Sequence, residues 1–72
     1  MKPLIINNVD EIGQQLRGIR EEKHITRQQI ATKAGISINT IFLTENGRST
    51  PGIFILSCWV RALGFDELVI KC

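Results

Sequence analysis

A chain of 72 residues, 43% apolar and 22% charged, is expected to fold as one globular domain spanning residues 1–72. Its longest apolar run, Ile53–Leu56, falls far short of the roughly 20 residues that cross a bilayer, and Leu4–Ile6 is too short for the roughly 7–15-residue core of a secretory signal. The formal charge is +2, with an excess of three positive charges in residues 17–50, which fits either a solvated basic face or a polyanionic partner.

Leu4-Ile5-Ile6 opens the chain as a short β-prone run. Asn8 and Glu11 have the spacing of a capping box, and Val9, Ile12, Leu16 and Ile19 follow at helical spacing, predicting a first helix over about residues 9–23. Thr26 and Gln29 form a second box, which opens a helix over about 26–34 with an apolar stripe of Ile30, Ala31 and Ala34. Gly35, able to take positive φ, ends it. Ser37 caps a third helix, about 37–46, that runs out at Asn46-Gly47. Thr50-Pro51 reads as an N-cap followed by proline at the first helical position, predicting a fourth helix over about 51–63. Its inward face is Ile53, Leu56, Val60 and Leu63, and Gly64 closes it. The tail, residues 65–72, contains the β-prone Leu68-Val69-Ile70 and is either a strand or a fifth helical turn. A lone ribbon is marginal in water, so the two ends are expected to pair with each other or across a dimer.

Between helices 2 and 3 stand only Gly35 and Ile36, too few for an antiparallel hairpin, so the helices must cross at a large angle. Ala31 then sits at the close approach, Ile36 plugs the core below the turn, and Ile41 faces inward. Ser37, Ile38, Asn39, Phe42 and Leu43 are left outward on a helix flanked by positive charge. That is the geometry of a helix entering a DNA major groove.

The stretch from Ile25 to Gly47 resembles the Cro/repressor (XRE) helix-turn-helix family, with Ala31, Gly35, Ser37, Ile41 and Glu45-Asn46-Gly47 matching in register. The likeness extends over roughly residues 9–64 and implies a compact, all-α, lambda-repressor-like domain of four helices, or five if the tail is helical. It also implies an ion pair between Arg20 and Glu45, for which a planar guanidinium is better suited than lysine. On this reading Ser37, Ile38, Asn39, Phe42 and Leu43 read bases. Thr26, Arg27, Gln28, Lys33, Thr40, Arg48 and Ser49 contact phosphates, with Lys23 and Thr50 as weaker candidates. Three residues depart from the pattern. Arg27 stands where the family usually has glutamine, Phe42 and Leu43 where it has polar or basic residues, and Thr44 where it has a bulky apolar one. Either Phe42 and Leu43 both face out toward thymine methyls, or helix 3 is rotated and buries one of them to compensate for Thr44.

Chemistry other than binding has little support. His24 is expected to be solvent-facing in the turn after helix 1, and Trp59 to lie in the core. No His, Cys or acidic set has metal-ligand spacing, no nucleophile has a base at readable spacing, and neither a cofactor nor an enzyme is expected. Cys58 and Cys72 cannot build a disulfide framework, which points to a reduced, cytoplasmic protein. A core this small is often completed by association. Phe54, Ile55 and Cys58 on helix 4, with Leu68 and Ile70 and the N-terminal Leu4 and Ile6, are the expected homodimer surface. The tail Gly64–Lys71 resembles the ending of HipB-type antitoxins. The leading expectation is therefore a homodimeric, sequence-specific DNA-binding regulator, a repressor reading a palindromic operator in double-stranded DNA with helix 3. The alternative is an antitoxin that binds a toxin protein and autoregulates its operon, and a third reading is an interaction module that has lost DNA binding.

Overall fold

In a computed structural model, which describes residues 2–70, the chain runs β1 (Pro3–Ile6), a 3-10 turn (Val9–Glu11), α1 (Ile12–Glu22), α2 (Arg27–Ala34), α3 (Ile38–Glu45), α4 (Ile53–Ala62) and β2 (Glu67–Ile70). Met1, Lys71, Cys72 and the side chain of Val9 lie outside the described residues. The class is all-α, with one small two-stranded sheet. No described helix is long and apolar enough to cross a membrane.

Local signals explain most boundaries. At α2 the Thr26 hydroxyl accepts from the Gln29 amide at 3.1 Å while the Gln29 side chain accepts from the Thr26 amide at 2.8 Å, so the predicted capping box is complete. The box predicted for the first helix forms only in part. Asn8 Oδ1 accepts from the Asp10 amide at 3.0 Å, and no side-chain bond from Glu11 returns. That short reach closes a tight 3-10 turn, and the α-helix begins only at Ile12.

Helix α4 begins later than Thr50-Pro51 suggests. Gly52 is its N-cap, still extended at φ −68° and ψ 164°, and its carbonyl accepts from the Leu56 amide at 3.0 Å. Pro51 therefore precedes the helix instead of starting it. Ile53, expected on the inward face, is 65% exposed because it stands on the first free turn, beyond the packed layer that Leu56, Val60 and Leu63 enter.

The two ends pair with each other, in parallel, with Pro3 opposite Glu67 and Ile6 opposite Ile70. A parallel pair needs a long crossover, and here the whole helical domain supplies it. The tail is thus a strand and not a fifth helical turn. Alternation puts Leu4 and Ile6 into the core and Ile5 outside, so Leu4 and Ile6 are unavailable to a dimer surface. Leu68, also expected at that surface, is half-buried and packs on its own chain's core. That core joins Ile6, Leu16, Ile30, Ile41, Leu56, Trp59, Val60 and Leu63, with α2 packed against both α3 and α4. Trp59 lies wholly inside it, with no hydrogen-bond partner for Nε1 among the described residues.

Helices α1 and α4 end in the same motif with different residues. After α4, Gly64 takes φ +97°, its amide bonds the Arg61 carbonyl, and the Phe65 amide bonds the Val60 carbonyl. After α1, the left-handed position is filled by His24 at φ +58°, with its amide on Glu21 and the Ile25 amide on Arg20. A residue with a Cβ pays roughly 1–2 kcal/mol there, offset in part by the greater freedom of glycine in the unfolded chain. His24 is exposed and no side-chain hydrogen bond ties it down among the described residues. His24→Gly is expected to stabilise the fold by about 0.5–1 kcal/mol, read as a higher urea midpoint at unchanged slope.

Candidate nucleic-acid interface

The joint between α2 and α3 is built from three residues. Gly35 takes φ +72° and its amide bonds the Ala31 carbonyl at 2.9 Å, and the Ile36 amide reaches the same carbonyl at 3.1 Å. Ile36 tucks against the core, and the extended Ser37 accepts from the Asn39 amide at 3.1 Å to start α3. Ala31 is buried where the two helices meet. Ile41, Thr44 and Glu45 then point inward, and the opposite side of α3 stands clear of the protein.

That clear side holds Ser37, Ile38, Asn39 and Phe42, all exposed, with Ile38 at 45% and Phe42 at 46%. Leu43 and Thr40 are half-buried on its flanks, so Leu43 does not face fully outward as expected. Residues on a helix turn by about 100° per step, and Leu43 lies next to the inward Thr44. Thr44 keeps the inward place, nearly sealed from solvent, with a hydroxyl that meets no partner among the described residues. Phe42 stays outside.

Behind α3 lies a three-residue ion cluster. Arg20 Nε donates to Glu45 Oε2 at 2.7 Å and its Nη2 to Oε1 at 3.2 Å, while Nη1 donates to the Ile25 carbonyl at 2.9 Å. Arg27 Nε donates to the same Glu45 Oε1 at 2.9 Å. The Glu45 side chain has no solvent exposure and that of Arg27 has 31%. Arg27, expected as an outward phosphate contact, is thus anchored from behind at its Nε. Its guanidinium carbon also lies over the Phe42 ring, 5.3 Å from the centroid. Nothing local in the sequence signals this anchoring, because the partners are 18 positions apart.

The other basic and polar candidates divide by location. Thr26, Gln28, Arg48, Ser49 and Thr50 are exposed, Thr26 as the cap of α2 and Arg48–Thr50 in the loop after α3. Gln28 donates to Thr32 Oγ1 at 3.2 Å along the outer face of α2. Lys33 is exposed but borders a shallow groove with Cys58, Arg61 and Ala62, on the α4 flank of α2. Six residues on from Arg27, it has rotated about 120° away around the helix. Lys23 lies over the Phe65 ring, which Lys2 also covers, and so belongs to the sheet end of the molecule.

Gly13 is the residue that the helical pattern concealed. It is buried on α1 where that helix crosses α3, and a Cβ built on it would overlap the carbonyl oxygen of Thr44. The available signal was a glycine inside an amphipathic helix, on the side of Ile12 and Leu16. At the carboxyl end of α3, Asn46 Nδ2 donates to the Phe42 carbonyl at 2.7 Å and closes the helix beneath that ring.

A family model described as a helix-turn-helix domain matches residues 11–69. The HTH-type transcriptional repressor RghR of Bacillus subtilis (strain 168) is 42% identical over 40 residues, covering 56% of this chain and 30% of that protein. The chain thus matches under a third of that relative's length. An uncharacterized HTH-type transcriptional regulator of Methanothermobacter thermautotrophicus is 30% identical over 53 residues, 74% of this chain and 77% of that one. The fold is similar to the crystal structure of the restriction-modification controller protein C.AhdI from Aeromonas hydrophila, with a TM-score of 0.75 at 21% identity over 81% of this chain and 88% of that one. With the family match spanning α1 to β2 and the Gly35-centred joint at its middle, the chain belongs to the helix-turn-helix domain family and carries a joint of the Cro/repressor (XRE) type.

Proposed function

We propose that the protein is a homodimeric, sequence-specific DNA-binding transcriptional regulator, a repressor that reads a palindromic operator with α3 in the major groove. The observation that carries this reading is the clear face of α3, whose exposed first turn offers Ser37, Ile38 and Asn39 beyond the body of the protein. Ser37 and Asn39 suit hydrogen bonds to base edges, and Ile38, with the half-buried Leu43 at the margin, suits thymine methyls. Thr26, Gln28, Thr40, Arg48 and Ser49 border that face and suit phosphates, which set register without reading sequence. The relatives named as a repressor and a regulator of the helix-turn-helix type support the same assignment.

One recognition helix reads too few base pairs to select a site, whereas two related by a two-fold axis read half-sites about 34–36 Å apart. Support for a dimer comes from the start of α4, where Ile53 and the 77% exposed Phe54 stand side by side. A shallow groove runs from Ile53 to Glu67 and Leu68, making this patch continuous with β2, whose outer edge is unpaired among the described residues. Ile55 and Cys58 are half-buried behind it, and Ile70 is exposed on the strand.

The test is selection from genomic fragments with purified full-length protein, followed by gel shift over a salt series and by sedimentation. Log affinity is expected to fall with log salt by about 0.9 per phosphate contacted. Arg48→Ala is expected to weaken binding to all sequences alike and to flatten that slope by about one. The protein is expected to sediment as a dimer at micromolar concentration. Salt-independent association, or a monomer on every bound site, contradicts the reading.

A further inference from the structure

We infer that Arg27, Phe42 and Glu45 form a preorganised seat for a single phosphodiester, in which Phe42 serves the arginine and not a base; this rests on the DNA-binding reading above. The argument begins with charge. Glu45 is one carboxylate between two guanidiniums, so the cluster retains one unmatched positive charge. Arg20 cannot be where an anion reaches it, because Nε and Nη2 are spent on Glu45 and Nη1 on the Ile25 carbonyl. Arg27 gives only its Nε to Glu45, and neither of its Nη nitrogens meets an acceptor among the described residues. The Arg27 side chain is 31% exposed, so an anion arriving from solvent can reach those two donors.

The geometry selects the kind of anion. Glu45 fixes the inner edge of the guanidinium and the Phe42 ring covers one face, which sets the plane and leaves the outer pair of N–H groups as a fork. Two parallel donors match two oxygens of one phosphate, and guanidinium is the weakly hydrated, planar cation suited to that exchange. The seat lies where α2 begins, on the side of the clear face of α3 where Phe42 stands. Phe42 and Glu45 are therefore positioning residues. Arg27 makes the contact.

The experiment measures affinity for a selected site and for mixed-sequence DNA across a salt series, with thermal melts to follow folding. Arg27→Lys keeps the charge and the salt slope but is expected to lose on the order of tenfold in affinity, because an ammonium has no fork. Arg27→Gln is expected to flatten the slope by about one as well. Phe42→Leu is expected to lose about two- to fivefold on both DNAs alike, Phe42→Trp to retain binding, and Phe42→Leu to add nothing in the Arg27→Gln background. Phe42 is exposed, so its variants carry the test even if an Arg27 variant folds poorly. A changed base preference in Phe42→Leu, or an undiminished loss in the Arg27→Gln background, makes Phe42 a base contact and overturns the seat. Wild-type affinity in every Arg27 variant overturns the seat while DNA binding stands, and failure of the wild type to bind any DNA overturns both.

Discussion

Glu45→Ala is expected to remove about 3–5 kcal/mol of folding stability, because it strands the buried Arg20 without a counter-charge. The carboxylate accepts three hydrogen bonds, two from Arg20 and one from Arg27, and it has no contact with water that could substitute for them. Stability for a chain of 72 residues is about 4–11 kcal/mol at roughly 0.05–0.15 kcal/mol per residue. The loss is therefore a large share of the whole, and the variant should melt far lower or populate the unfolded state at ambient temperature. The exposed pair of Arg17 and Glu21, 3.4 Å apart on α1, is the control. Glu21→Ala should change stability by about 0.5 kcal/mol or less, since exposed pairs are solvated before and after. Urea unfolding followed by circular dichroism measures both. A loss under about 1 kcal/mol for Glu45→Ala would show that water can replace the carboxylate.

Gly13→Ala is expected to destabilise the protein by about 3 kcal/mol or more, against the sign of helix propensity. In a free helix, alanine is favoured over glycine by about 1 kcal/mol. Here the added Cβ overlaps the Thr44 carbonyl oxygen and comes within 2.8 Å of the carbonyl carbon and 3.3 Å of the Glu45 Cα. These are backbone atoms of α3, so relief requires α1 and α3 to separate, which opens the core around Leu16 and Ile41 and pulls on the Arg20–Glu45 pair. Gly18, on the same helix, meets nothing within 4 Å. Gly18→Ala should follow propensity and stabilise by up to about 1 kcal/mol. Denaturant midpoints of the two variants moving in opposite directions is the expected result. If both rise, the two helices do not cross in contact at Gly13.

What the sequence determined by itself was what acts over a few residues. The Thr26–Gln29 box, the Ser37 cap and the Gly35 joint form as read, because each is closed by backbone and side chains only a few residues apart. The apolar stripe of α2 was legible from its spacing, the inward Ile41 from the sharp turn between α2 and α3, and the Arg20–Glu45 pairing from the family pattern. The local signals also failed locally: Asn8 caps a tight turn, and Thr50-Pro51 stops short of α4. Only the tertiary structure decided the rest. Leu4 and Ile6 read as a sticky surface until β1 met β2 and turned them into the core. Gly13 is tight only because α3 crosses it, and Arg27 is a fixed fork only because Glu45 and Phe42 arrive from another helix. A cap or a stripe is satisfied within one or two turns of chain, whereas a helix crossing or a strand pairing depends on how the whole core packs, and no window of sequence contains it.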